Sequence, residues 1–352
     1  MLDFNFPYGK NRIAAKWKKN QQDDFSGIEV VMGFHRSALK QLGGKKMVNR
    51  NAGKTLFVLV AVLLLQWVFA GLLTAAEPDK IVQSGAILTV AESKRLIGKA
   101  VAQMPIVKNA LANGMVIIIK GTTDAYVAEE ITGKKADHAA FVTGRIEPEK
   151  GTKNLPPTKP VNHAILEKGK LVDISLPDAA KKLKAGDVVI KGANALDYKN
   201  KLAAVNILDP AGGTTGITMP FIIARKVHLI IPVGLEKQVA GDIVDLTLKM
   251  REPMESLPAP PGGSKAFFPG YILPSMWLLT GEIVTELEAI KVLTGATAFQ
   301  SSLTGAKAFQ CSAGGISGAE GAVWLVFRGT RDQVTKALNL VHSIQGEPPY
   351  TQ

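Results

Sequence analysis

From Ile87 to Met250, short unbroken apolar runs alternate with stretches in which apolar residues recur every three or four positions, and these two periods separate strands from helices. "ILTVAESKRLIGKAVAQMPIVKNALANG" has the helical spacing, with Thr89 three residues before Glu92 as a capped start and Gly114 as its end. "MVIII" at 115–119 reads as a strand, Gly121-Thr122-Thr123 as a turn, and "AYVAEEI" as a helix closed by Gly133. A polar, Pro-rich loop at 145–163 follows, then a hairpin in "ILEKGKLVDIS" and a strand in "AGDVVIKGANALD" that ends in a glycine turn. "KLAAVNILDPAGGTTGITMPFIIARK" supplies another glycine-rich turn feeding a helical run, and "VHLIIPVG" a further strand. Continuous apolar strands alternating with helices predict an α/β fold over 86–251, a Rossmann-like layered domain with a mostly parallel sheet covered on both faces.

The pattern changes after "EPMESLPAPPGGS", whose Pro/Gly-rich stretch at 252–264 reads as a linker. Residues 265–345 then predict strand, helix, two strands and helix, a ferredoxin-like α+β module in which "EIVTELEAIKVLTG" is the first helix. Within it "LTGATAFQSS" at 293–302 is followed at once by "LTGAKAFQCS" at 303–312, identical at eight of ten positions. A tandem duplication that lengthens a loop or strand explains this repeat, which is too short to indicate a solenoid.

Ahead of the folded region, residues 55–76 run for 22 positions without a charge, against about 20 needed to cross a bilayer. This segment is either a signal peptide or a membrane anchor. Small residues at Thr74-Ala75-Ala76 and a possible start at Met47 favour cleavage, whereas the length of the run suits an anchor. In both cases residues 77–352 are expected outside the cytoplasm, because the basic stretch before the run stays inside. Residues 1–54 hold eleven Lys/Arg against four Asp/Glu and read as a disordered tail. They carry +7 of the formal net charge of +12, so the rest of the chain is only mildly basic and no nucleic-acid partner is expected.

Cys311 is the only cysteine, which excludes an internal disulfide, and its apolar strand context predicts a buried thiol. His138, His163 and His228 occur singly, without the spacing of metal ligands, and no cofactor or nucleotide-triphosphate motif is present.

Three glycine turns fall after predicted parallel strands: Gly121-Thr122-Thr123, then Lys191-Gly192-Ala193-Asn194, then Gly212-Gly213-Thr214-Thr215-Gly216. Ligands of open parallel sheets bind at that edge, where free N–H groups at helix starts attract phosphate or carboxylate. The expected ligand contacts are Gly121, Thr122, Thr123, Asp124, Lys191, Gly192, Ala193, Asn194, Gly212, Gly213, Thr214, Thr215 and Lys237. Each turn taken alone also suits a purely structural role.

"NGMVIIIKGTTDAYVAEEI" and "DVVIKGANALD" resemble the strand–turn–helix and Asp-Gly-Ala-Asp motifs of the superfamily of ribose-5-phosphate isomerase, glucosamine-6-phosphate deaminase and the coenzyme A transferases, over about residues 86–240. The resemblance implies a sugar-phosphate or acyl-transfer scaffold, and ribose-5-phosphate isomerases also carry a ferredoxin-like module. Lys191, Asn194 and Ala195 stand where the isomerases keep acidic groups, so isomerase activity is not expected. The leading expectation is an extracytoplasmic protein that binds a small anion. The alternatives are an acyl- or coenzyme A-transferase-like or sugar-modifying enzyme, with Glu236 or Asp124 as its reacting carboxylate, and a structural or assembly protein that forms a homo-oligomer.

Overall fold

The computed structural model describes residues 80–144, 161–253, 274–294 and 307–350. The apolar run at 55–76, the loop at 145–160, nearly all of the 252–264 linker and most of the 293–312 repeat lie outside them. Among the described residues no helix is long and apolar enough to cross a membrane.

Strand β1 (Val82–Leu88) leads into α1 (Val90–Gln103), whose first turn is closed by the Thr89–Glu92 capping box. The helical pattern then breaks at Met104, because the residue before a proline is driven out of the α region. Pro105 restarts the chain as α2 (Pro105–Asn113). There follow β2 (Met115–Ile118), α3 (Thr122–Thr132), the hairpin β3 (Ala164–Glu167) and β4 (Lys170–Leu171), α4 (Leu176–Lys182) and β5 (Val188–Ile190). A second hairpin, β6 (Ala195–Asp197) and β7 (Leu202–Ile207), precedes α5 (Gly213–Arg225) and β8 (His228–Pro232). The described chain then runs through a 3-10 turn (Leu235–Lys237), α6 (Ile243–Lys249), β9 (Ser275–Leu279), β10 (Glu282–Val284), α7 (Glu286–Thr294), β11 (Lys307–Ala313), β12 (Val323–Gly329) and α8 (Arg331–His342).

The central sheet is mixed, with six strands in the order β10-β8-β5-β2-β3-β4. Its first four strands are mutually parallel, and the β3–β4 hairpin closes one edge antiparallel. Val116–Ile118, Val188–Ile190 and Ile230–Ile231 are completely buried, which is why these strands read as unbroken apolar runs. Helices α1, α3 and α7 pack together, and α1 approaches α3 so closely that a Cβ on Gly98 would lie 2.9 Å from the Tyr126 carbonyl carbon. Arg95 locks this contact, its guanidinium reaching Glu129 at 2.6 Å, Glu130 at 3.0 Å and Glu347 at 2.8 Å.

The strands beyond residue 274 do not form a ferredoxin-like sheet of their own. β9 joins β6 and β7 in a small antiparallel sheet, β10 extends the central sheet beside β8, and β12 pairs with β1 on one side and β11 on the other. Residues 77–352 accordingly make one compact unit. "EIV" at 282–284 is a strand rather than the first turn of a helix. Thr285 delays the helix by accepting from the Leu287 N–H at 3.2 Å while its own N–H donates to Glu288 at 3.0 Å. Cys311 is exposed rather than buried, because the pairing of β11 with β12 shifts between Gln310 and Ser312 and turns Cys311 out at the bulge.

Asp187 pins the amino ends of the parallel strands. Its carboxylate accepts from the Met115 N–H and the Lys184 N–H, both at 2.8 Å, while its carbonyl accepts from the His228 N–H at 2.9 Å. Gly114 is required beside it, since a Cβ there would sit 2.4 Å from Asp187 Oδ1. Asp187→Ala strands two backbone donors, and at about 1–3 kcal/mol per unsatisfied group the variant should lose roughly 2–5 kcal/mol in urea denaturation. An unchanged midpoint would remove Asp187 from this role.

Candidate functional site

All three glycine turns open onto one cavity at the carboxyl edge of the parallel strands. The first lies where β2 passes through Ile119 and Lys120 into α3. Gly121 is the N-cap of α3 and offers no side chain to the free N–H groups of the first turn, and Gly212 does the same for α5. Helices α1, α4, α6 and α8 are instead capped by the side chains of Thr89, Ser175, Asp242 and Thr330. The two helix starts at the cavity thus keep donors and partial positive charge that most other helices satisfy internally.

Asp124, in the first turn of α3, lies under the cavity floor and is 1% exposed. Its Oδ2 accepts the Gly192 N–H at 3.0 Å, joining the first turn to the second, while Oδ1 has no partner among the described residues. Glycine leaves room on both sides: a Cβ on Gly121 would overlap Asp124 Oδ2 at 2.3 Å, and one on Gly192 would press on it at 3.1 Å. The second turn follows β5 and carries Lys191, a buried lysine whose Nζ donates to Thr214 Oγ1 at 2.9 Å, which ties it to the third turn. That third turn follows β7 of the small antiparallel sheet, not a strand of the parallel sheet as its sequence suggested. Gly212 has φ +81° and faces the Trp277 ring, so a side chain there would be both strained and blocked. Lys237, from the 3-10 turn after β8, donates to the Ala193 carbonyl at 2.7 Å.

The cavity measures about 490 Å³, within the ordinary range for small-molecule sites. Lys120, Lys191 and Lys237 line it against Asp124 and Asp209. Burial pushes the Asp124 carboxyl up to about 7, against the opposing pull of the Gly192 N–H and of Lys191 and Lys237. Burial likewise lowers Lys191 to about 8, with the Asp124 charge acting in the other direction. The Thr123 and Thr215 hydroxyls are buried without partners among the described residues. The site therefore holds cations, free N–H donors and a carboxyl poised between its two protonation states.

Every ligand contact expected from the sequence, from Gly121 to Lys237, lines this cavity. Glu236 does not. Its Oε2 is buried without a described partner near Glu286, whose carboxyl is raised by burial and by the Glu236 charge. Lys94, lowered to about 8 chiefly by burial, also feels Glu236. Lys120, Thr143 and Asp209 line the cavity without having been singled out in the sequence, although Lys120 directly precedes Gly121. His163 supports Lys120 from behind: its Nδ1 accepts the Lys120 N–H at 3.0 Å, and burial with the charges of Lys120 and Lys191 lowers the imidazole to about 4. Only the β2–β3 pairing brings it there. Compared with protein-family models, with curated proteins and with solved structures, the chain matches none.

The Asp124 carboxyl has a folded value of about 7 against an ordinary 3.8, so protonation favours the folded state. Its contribution is fully present below about pH 4 and is lost as pH rises through about 7. Asp124→Asn removes this dependence. Glu286 titrates in the same direction in both proteins and cancels from the parent-minus-variant difference in Tm, which reports Asp124 together with the support its charge gives Lys191 and should fall as pH rises from about 4 to about 7. A difference that stays constant across that window would contradict the assignment.

Proposed function

We propose that the cavity binds a small organic anion through its phosphate or carboxylate group. One observation carries this reading: two helix starts without side-chain caps converge on a single lysine-lined cavity. An anion seated there would take the free N–H groups of the first and third turns and the charge of Lys191 and Lys237, the combination that favours anions at helix starts. We further propose that this happens outside the cytoplasmic membrane, on the strength of the charge-free run at 55–76 behind a basic segment. The scaffold is read as akin to the ribose-5-phosphate isomerase and coenzyme A transferase superfamily, on the motifs at 113–131 and 187–197. Lys191, Asn194 and Ala195 replace the acids of the isomerases, so the proposal includes no aldose–ketose isomerisation.

Calorimetry of the full-length protein with inorganic phosphate and with acetate tests the reading. Lys191→Ala removes a charged donor worth about 1.5–3 kcal/mol, which corresponds to a loss of roughly ten- to a hundredfold in affinity. Thr214→Ala, which frees the Lys191 amine from its anchor, should weaken binding several-fold. Absence of binding at millimolar anion, by calorimetry and by native mass spectrometry, would overturn the proposal.

A second reading is favoured by the pairing of a carboxyl near 7 with an amine near 8 in one cavity. Groups tuned toward neutrality suit general acid–base work. On this reading Asp124 takes a proton from the bound anion, and Asp124→Asn keeps binding but abolishes exchange of a ligand hydrogen with D2O. Exchange that persists in Asp124→Asn would exclude it.

A further inference from the structure

One wall of the cavity is apolar and belongs to a sheet face that leaves the protein core. In the small sheet Ala203 pairs with Leu279, Val205 with Trp277 and Ile207 with Ser275, so these six positions share one face. At its inner end Ala203 and Leu279 are completely buried in the main core. The opposite face is covered separately, by Ala195, Val239 and Ile243 packing on Leu202, Ala204, Met276 and Leu278. Two residues further out, the same face reaches the edge of the core, where Val205 is only partly buried. Val205 and Ile207 line the cavity, Leu208 beyond them is 50% exposed, and Trp277 is 37% exposed with its ring against Gly212. Val142 and Pro274 add to the same lining.

This wall faces the polar floor of Asp124, Lys191 and the two free helix starts across the same cavity. A site whose lining combines hydrogen-bonding groups with Val142, Val205, Ile207, Leu208 and Pro274 is matched by a ligand with both a polar and an apolar part. A polyhydroxylated anion would leave hydroxyls unpaired against Val205, Ile207 and Leu208, which costs affinity for each group desolvated without a partner. An alkyl or aryl group there removes exposed apolar surface on both sides.

We propose, resting on the anion-binding reading above, that the ligand is an amphipathic organic anion. Its carboxylate or phosphate sits on the glycine turns, and its alkyl or aryl group lies along Val205, Ile207 and Leu208. The floor supplies charge recognition and the wall selects for the apolar group.

Calorimetric titration of the full-length protein with monomeric acetate, butyrate, hexanoate and octanoate, and with the matching alkyl phosphates, tests this. Each added methylene should tighten binding about fourfold until the wall is covered. Ile207→Ser should flatten that slope, and Leu208→Ser, at a half-exposed position, gives the same readout should Ile207→Ser fail to fold. Lys191→Ala should weaken every member of the series by a similar factor. Affinity independent of chain length, or ribose 5-phosphate binding more tightly than hexyl phosphate, would overturn the amphipathic ligand while leaving the anion site standing. Octanol binding as tightly as octanoate, or no anion binding at all, would remove the anion-binding reading and this inference with it.

Discussion

The hydrogen bond from the Gly192 N–H to the Asp124 carboxylate is the constraint around which the site is built. It joins the end of β5 to the start of α3, and the absence of a Cβ at Gly121 leaves the space that the carboxylate takes, with Gly192 close against it on the other side. The protein holds a second buried aspartate, Asp187, at the other end of the same strands, and the comparison is instructive. Both oxygens of Asp187 accept backbone donors, so its role is complete within the fold. Asp124 uses one oxygen structurally and leaves the other unpartnered under a cavity floor.

The order of connections explains why the cavity lies where it does. From the carboxyl ends of β5 and β8 the chain does not return directly to the next parallel strand. The first crossover detours through β6 and β7, and the second through α6 and β9, and these three strands pair with one another. Two separate excursions thereby build one small sheet at the edge where parallel strands expose their ends. That sheet supplies the third glycine turn and the apolar wall, neither of which the parallel sheet alone would provide. Because Ala203 and Leu279 anchor it in the main core, its outer end at Val205 and Trp277 is held over the glycine turns.

Features set by neighbouring residues were legible in the sequence. The Thr89–Glu92 cap, the glycine stop at Gly133 and the Gly-Thr-Thr start of α3 follow from side chains within a few positions of each other, and the positions of the glycine turns gave the cavity lining. Features set by strand partnership were not. Nothing local distinguishes a strand that joins a ferredoxin-like sheet from one that pairs with β1, β7 or β8, so 265–345 reads as a module whose described strands the pairing disperses over three sheets. Cys311 looked buried because its neighbours are apolar, but a one-residue bulge reverses its direction. His163 reaches Lys120 across an antiparallel pairing 43 residues away in sequence. Glu236 was suggested by its place after a strand end, where the tight 3-10 turn sends Lys237 to the cavity and Glu236 elsewhere.

Burial acts on Asp124 and Lys191 together, and this pairing gives the site its character. Desolvation moves the carboxyl toward its acid form and the amine toward its base form, so each approaches neutrality while partly supporting the charge of the other. On the anion-binding reading, a ligand's negative charge breaks this balance in a definite direction. It stabilises the Lys191 ammonium and keeps the proton on Asp124, converting the aspartate from a competing anion into a donor. The lysine bound to Thr214 and the aspartate bound to Gly192 are fixed by different turns, so the change requires proton uptake rather than movement of the backbone. On that reading, a proton on Asp124 removes one of the two carboxylate charges that compete with the anion for Lys120, Lys191 and Lys237.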